Sequence, residues 1–223
     1  YLKGFVGDSV LNESIRDFYQ NNQLKIISSH QFNKIISSKT TKNLDWFFND
    51  YIKTSKKIDY KISKVKNSKS KDSLLVTIKN KRNFSSPIAL YGIQDKKIKF
   101  KKWLTGTDST KTIKIKKGGF NKLALNYENS YPEYNSLDNF RNINNTLINK
   151  PLQFRFFKDV ENPYYNQVFY TLFASYNWYD CLILGPSLYN EAIFKKKWLY
   201  KIIPTYGTNS GKVTGAAFFV YQH

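Results

Sequence analysis

The chain has 223 residues, 36 of them basic and 16 acidic, for a formal net charge of +20 at pH 7. Apolar residues make up 41% and aromatic residues 17%, enough to build a core, which excludes a disordered basic tail. One cysteine, Cys181, and two histidines, His30 and His223, exclude an internal disulfide framework and any cysteine-based zinc module.

The chain starts at Tyr1, contains no methionine and opens with neither a signal-peptide nor a transit-peptide pattern, so it reads as a piece of a longer protein. Charge is unevenly placed. Residues 1–57 hold 9 basic and 5 acidic side chains, 58–130 hold 18 and 5, and 131–223 hold 9 and 6. Aromatics run the other way, with 19 of 38 in residues 151–223. These shifts divide the chain into 1–57, 58–130, a linker at 131–150, and 151–223.

The first segment reads as helical. Leu11, Ile15, Phe18 and Tyr19 fall on one face of a helix opened by Asp8 or Ser9. Ser28 and Gln31 have the spacing of a capping box ahead of Phe32, Ile35 and Ile36. A third helix is expected over Leu44–Ile52, with Leu44, Phe47, Phe48, Tyr51 and Ile52 as a core-facing stripe and Asp45 at its positive end.

The second segment changes period. Ile58–Ile62, Leu75–Lys79, Lys97–Phe100 and Thr112–Lys116 alternate apolar residues with lysine or polar residues, and Phe120–Leu125 adds an apolar strand. Turn signals stand at Asn67–Ser70, Asn83–Pro87, Thr105–Asp108 and Gly118–Gly119. A small antiparallel sandwich with lysine on its wet face is the expectation. A basic stripe also offers phosphate affinity, but the whole chain has only four arginines, Arg16, Arg82, Arg141 and Arg155. No helix-turn-helix, RNP-like strand or phosphate loop accompanies the lysines. Nucleic acid is therefore the weaker reading beside a solvated face that blocks edge pairing.

Asn126 to Lys150 reads as linker or extended loop, including an acceptor-like Asn144-Asn145-Thr146 that is set aside. Asn162 to Tyr179 then carries no charge. Its alternation, Val168, Tyr170, Leu172, Ala174 and Tyr176 against Phe169, Thr171, Phe173 and Ser175, fits a strand better than a membrane helix. Cys181–Tyr189, Trp198–Tyr206 and Val213–Tyr221 repeat the pattern, with turns at Asn190-Glu191 and Gly207–Gly211. Strands of this length ended by aromatics mark outer-membrane barrels, with Trp178, Tyr179, Trp198, Tyr200 and Tyr206 as an aromatic girdle; a soluble sheet with an aromatic core is the alternative. Four or five strands cannot close a membrane barrel, so the barrel is expected to continue past His223.

The residues also carry a resemblance. Tyr1-Leu2-Lys3-Gly4-Phe5-Val6-Gly7-Asp8, then Ile15-Arg16-Asp17-Phe18-Tyr19, then Lys42-Asn43-Leu44-Asp45-Trp46-Phe47-Phe48-Asn49-Asp50-Tyr51-Ile52 resemble the end of the catalytic domain in gluzincin aminopeptidases of the aminopeptidase N type. The likeness covers residues 1–55. The remainder is similar to large bacteroidete proteins in which such a domain precedes a small sandwich and an outer-membrane barrel, through Lys150-Pro151-Leu152, the run Asp159 to Tyr170 and Pro204-Thr205-Tyr206-Gly207-Thr208. The resemblance implies an α+β chain: the helical end of a peptidase-like domain, a basic antiparallel β-sandwich, and the first strands of an incomplete outer-membrane β-barrel. It implies location in a bacterial outer membrane with the soluble part periplasmic, outer-membrane lipid as partner, and membership of a larger outer-membrane complex.

The family's zinc chemistry needs H-E-x-x-H, two imidazoles one turn apart with a glutamate base between them. His30 is followed by Gln31, Phe32, Asn33 and Lys34, so no catalytic, metal or cofactor residue is assigned here; zinc would belong to a longer parent. Asp45 and Asp50 read as surface or cap, Glu133 and Asp138 as loop carboxylates without an oriented partner, Ser9, Ser28 and Ser29 as serines without a base, and Cys181 as a small hydrophobe. The expected function is a non-catalytic portion that couples a soluble peptidase-like domain to a barrel. The alternative is a basic binding or scaffold module that recognises an anionic surface.

Overall fold

The computed structural model describes all residues except Lys71, Asn83, 145–147 and His223. Parts of the turn at Asn83–Pro87 and of the 131–150 segment, the acceptor-like Asn145 and Thr146, and the terminal histidine thus lie outside the described residues. The chain is mainly β with few helices, in three sheets of which none is closed. It divides into two compact units, Tyr1–Asn149 and Lys150–His223.

The first unit begins with α1 (Leu2–Val6), α2 (Asp8–Asn21), α3 (Ser29–Ser38) and a π-helical turn at Trp46–Tyr51. Leu2, Val6, Ile36, Leu44 and Phe48 form a small core among them. On α2 half of the expected stripe packs inward, Leu11 against the small core and Phe18 against Phe32 at 5.4 Å, while Ile15 is 50% and Tyr19 69% exposed. The helix also turns Val10 and a fully buried Ser14 inward, and Ser14 satisfies its hydroxyl on the Val10 carbonyl at 2.6 Å. A serine in the stripe hides the true face from a hydrophobic pattern. On α3 the capping box forms, with Gln31 Oε1 accepting the Ser28 N–H at 2.7 Å. Replacing Gln31 by Ala should cost about 1 kcal/mol of helix stability, read as faster amide exchange over Ser29–Asn33 with β-strand exchange unchanged.

The expected helix over Leu44–Ile52 is π-helical at Trp46–Tyr51. Its Ile52 N–H bonds the Phe47 carbonyl five residues back at 3.0 Å. Trp46, Phe47, Phe48 and Tyr51 lie within six residues, and the wider turn stacks Phe47 on Tyr51 at 5.5 Å. Ile52 falls outside the core, at 51% exposure.

Next come β1 (Tyr60–Asn67), β2 (Ser73–Asn80), β3 (Ile88–Gln94), β4 (Lys97–Leu104), β5 (Thr110–Lys116), β6 (Lys122–Leu125) and β7 (Phe140–Asn142). They form an antiparallel sheet β1-β2-β5 and another, β4-β3-β6-β7. Ile62, Val65, Leu74, Val76, Ile78 and Ile115 of the one share a core with Ile88, Leu90, Leu104, Leu123 and Leu125 of the other. Alternation explains the first sheet. It does not explain β3, which is covered on both faces: Ala89, Tyr91 and Ile93 join Ala124 and Phe140 in a separate cluster. Trp46, Ile58, Phe84 and Tyr131 belong to the same core as both sheets, so the expected segments 1–57 and 58–130, with β7 from the segment read as linker, share one unit.

The second unit contains β8 (Leu152–Phe156), β9 (Asn166–Asn177), β10 (Cys181–Tyr189), β11 (Trp198–Gly207) and β12 (Val213–Tyr221), ordered β12-β11-β10-β9-β8. Strands β9 to β12 are a simple antiparallel meander. Strand β8 pairs parallel to β9, so the sheet is mixed where only antiparallel strands were expected. The crossover 157–165 makes this possible, since its ends are tied by Phe157 N–H to the Tyr170 carbonyl at 3.0 Å and by Asn166 N–H to the Pro151 carbonyl at 2.8 Å.

Candidate membrane-facing sheet

Register assigns every side chain of the meander to one of two faces. One carries Val168, Tyr170, Leu172, Ala174 and Tyr176 of β9 and Leu182, Leu184, Pro186 and Leu188 of β10. It continues through Trp198, Tyr200, Ile202, Pro204 and Tyr206 of β11 with Val213, Gly215, Ala217, Phe219 and Tyr221 of β12. None of these side chains is charged, and their only polar groups are tyrosine hydroxyls and the Trp198 indole N–H. Most of the large ones are open to the surroundings: Leu172 is 82%, Phe219 73% and Val213 78% exposed.

The opposite face carries Gln167, Thr171, Ser175, Ser187, Lys201, Thr205 and Thr214 among apolar neighbours. It is covered in part: Gln167, Phe169, Ser187, Ile203 and Thr205 of β9–β11 are buried, whereas on β12 Phe218 is 54% and Val220 49% exposed. Thr205 and Thr214 share a hydroxyl bond at 3.0 Å, and Gln167 Nε2 donates to Gln153 Oε1 at 2.7 Å. An exposed uncharged face backed by one that buries Gln167, Ser187 and Thr205 differs from the arrangement of a water-soluble sheet.

The five predicted aromatics fall at the two ends of the sheet. Trp178 and Tyr179 sit in the β9–β10 turn, and Tyr206 lies toward the same end; Trp198 and Tyr200 start β11 at the other end. Trp198 packs on Tyr221 at 4.6 Å, an aromatic that the sequence reading left out of the girdle. From the Trp198–Tyr221 pair to the Tyr206–Val213 pair is eight residues, about 27 Å along the strand. Tilted by about 40°, that spans roughly 20 Å, near the ~25 Å apolar band of outer-membrane barrels.

Polar clusters tie the loops at both ends of the sheet. In the turns, Asp180 accepts from Ser210 and from Asn177 Nδ2 at 3.2 Å, its carbonyl accepts the Asn209 N–H at 3.0 Å, and Asn209 Nδ2 donates to the Tyr179 carbonyl at 2.9 Å. A Cβ on Gly207 would come within 2.8 Å of Asp180 Oδ1 and of Ser210 Oγ, so a larger residue would displace the Asp180–Ser210 pair that joins the two hairpins. At the other end the crossover meets the β10–β11 connection through Lys158–Glu191 at 2.9 Å and Lys196–Glu161 at 2.5 Å. Midway, Pro186 of β10 and Pro204 of β11 lack amide hydrogens, and the described register between those strands is interrupted there. Gly185 lets the backbones approach, because a Cβ would stand 1.9 Å from the Pro204 carbonyl oxygen.

In the first unit the loop carboxylates prove to be oriented, contrary to expectation. Glu133 Oε1 accepts the Tyr60 N–H at 3.0 Å and Oε2 accepts Asn139 Nδ2 at 2.7 Å. Burial is the main cause that pushes its pKa up to about 7, helped by the Asp59 carboxylate. Asp138 pairs with Lys81 at 3.0 Å, and Lys81 stands 3.5 Å from the buried Asp59, itself raised by burial against the pull of Lys81. Arg82 lies 3.8 Å from the Tyr134 ring centroid. No sequence signal could have found this: Glu133 and Tyr60 are 73 positions apart. The carboxylates are held by partners that bolt the loop to β1, and no nucleophile is aligned with them, so the cluster reads as structural.

The remaining candidates stay apart. Asp50 pairs with Lys56 at 2.6 Å, Asp45 is exposed, and Cys181 is a half-buried free thiol at the start of β10. The residues do not fit zinc: His30 is exposed on α3, and among the described residues no three His, Cys, Asp or Glu are grouped to hold a metal. No helix among the described residues is long and apolar enough to cross a membrane, a criterion that does not apply to strands. Compared with protein-family models and with curated proteins, the chain finds no match.

Proposed function

We propose that β9 to β12 are wall strands of an outer-membrane barrel. On this reading the chain is the non-catalytic C-terminal portion of a zinc-aminopeptidase-like outer-membrane protein and couples a soluble, periplasmic unit to the membrane. The observation that carries the reading is the uncharged, open face of β9–β12 with aromatics at both ends, set against an opposite face that mixes polar and apolar side chains and buries Gln167, Ser187 and Thr205. Lipid is the solvent that such a face matches. The parallel β8 cannot be a regular barrel strand and is assigned to the barrel's border. The free edge of β12 requires a further strand beside it, because unpaired backbone groups in hydrocarbon cost several kcal/mol each. Peptidase-like ancestry rests on the likeness of residues 1–55, and zinc chemistry is assigned to the longer parent.

The test is fractionation of the native protein with intact-mass measurement. Retention in the membrane pellet through a 1 M salt wash, release by detergent, and a mass well above 26.2 kDa are expected. Recovery in the soluble fraction overturns the barrel reading.

A further inference from the structure

The outer face of the sheet β1-β2-β5 collects lysines from three strands: Lys61, Lys64 and Lys66 on β1, Lys79 on β2, Lys114 and Lys116 on β5. Register places them in adjacent rows, Lys61 opposite Lys79, Lys64 opposite Thr77 and Thr112, and Lys66 opposite Leu75 and Lys114. A bulge between Ile62 and Lys64 keeps the latter half of β1 in phase, so that Lys64 and Lys66 point outward with Lys61. These three strands contain no acidic residue; the nearest in sequence are buried Asp59, Asp72 in the β1–β2 turn and Asp108 before β5. Among the described residues none of the six lysines forms an ion pair, whereas Lys81 and Lys101, elsewhere on the same unit, do. Lys66 lies close enough to Lys64 to lower its pKa, through a side-chain hydrogen bond and then through its like charge.

We propose that this lysine face docks on anionic lipid headgroups of the membrane that β9–β12 enter. The partner rests on the membrane reading of those strands; the face itself does not. Lipid suits it better than nucleic acid. All six cations are lysines, point charges without the bidentate fork that reads bases or grips single phosphates. Between them stand Thr77, Thr112 and Leu75, with no aromatic ring on which a base could stack. A diffuse cationic sheet face matches a diffuse anionic leaflet, where each lysine near the surface strengthens attachment about five-fold. The covalent link to a membrane-embedded unit would keep the face at high effective concentration beside that leaflet.

The native protein, extracted in detergent, is reconstituted into vesicles of phosphatidylcholine alone or with a fraction of phosphatidylglycerol, and lysines are labelled with a membrane-impermeant amine reagent and read by mass spectrometry. Lys97, Lys99 and Lys102 on β4, exposed on the other sheet, are the internal reference. With anionic lipid, labelling of Lys64, Lys66, Lys79 and Lys114 should slow about five-fold against the reference, and 1 M salt should restore it as the screening length falls to about 3 Å. Equal labelling in both vesicle types overturns the proposal, as does uniform protection of β4 and the lysine face. Protection by duplex DNA without vesicles equal to that by anionic lipid overturns it in favour of nucleic acid. Failure to enter neutral vesicles at all would instead strike the barrel reading, so the two failures are distinguishable.

Discussion

Ala217→Arg should remove the protein from the membrane while Ala216→Arg leaves it there. The two alanines are neighbours on β12, equal in size and both exposed, and differ only in the face to which the register assigns them. Ala217 pairs with Ile202, midway between the aromatic ends, on the uncharged face; Ala216 pairs with Ile203 on the polar side. An arginine on the lipid face at the bilayer midplane costs about 2–4 kcal/mol, a loss of roughly 30- to 900-fold in the membrane-assembled fraction. On the opposite face, where both Ala216 and Lys201 are exposed, the same guanidinium reaches water. The measurement is the ratio of membrane-assembled to unassembled protein for each variant. Equal tolerance of both arginines would refute a lipid-facing surface, and equal loss would indicate a soluble sheet buried on both sides.

The second large effect concerns pH and the first unit. Glu133 holds its proton up to about pH 7 in the folded protein against an ordinary 4.5, so the folded state binds that proton more tightly than the unfolded chain. Its contribution is complete below pH 4.5 and is lost as pH rises through 7, roughly 3 kcal/mol in all. Asp59 is shifted the same way and adds to the slope. Glu128 is shifted the other way by Lys101 and the Tyr91 hydroxyl, so its contribution fades only in acid, below the window. The groups facing Glu133 are the Tyr60 N–H, the Asn139 and Asn126 amides and the Asp59 carboxylate. Protection factors of the Val76 and Ile78 amides should therefore fall between pH 5 and 8, and Glu133→Gln should flatten that fall, since an amide has no proton to lose. An unchanged slope in the variant would place the pH dependence elsewhere.

Local pattern reached some elements and missed others for identifiable reasons. Strand β9 was legible because one of its faces is apolar and the other mixed, and the expected assignment of Val168 to Tyr176 against Phe169 to Ser175 is the observed one. Strand β3 was not, because both its faces are buried and its residues 88–93 form a continuous run without alternation. The turn after it escaped as well: Asp95 and Lys96 both adopt positive φ, 51° and 63°, in a hairpin whose residues are not the usual asparagine–glycine pair. On α2 the inward Ser14 shifted the buried face, so that Leu11 and Phe18 of the expected stripe pack inward and Ile15 and Tyr19 do not. The short β7 lay in a segment whose asparagines and serines gave no strand signal.

By itself the sequence determined the alternation of strands such as β1, β2, β5 and β9, the capping box at Ser28 and Gln31, the concentration of lysine in 58–130, the aromatic richness of 151–223 and the absence of charge from Asn162 to Tyr179. All are properties of residues near one another in the chain. Only the tertiary structure decided that six lysines share one face, that β8 runs parallel to β9, that the face opposite the uncharged one is partly covered along β9–β11 while the uncharged one is open, and that Glu133 gives up solvent for Tyr60 and Asn139. Each of these depends on which distant segments pair and on which charges lose contact with water, and pairing and desolvation are set by long-range packing rather than by local pattern.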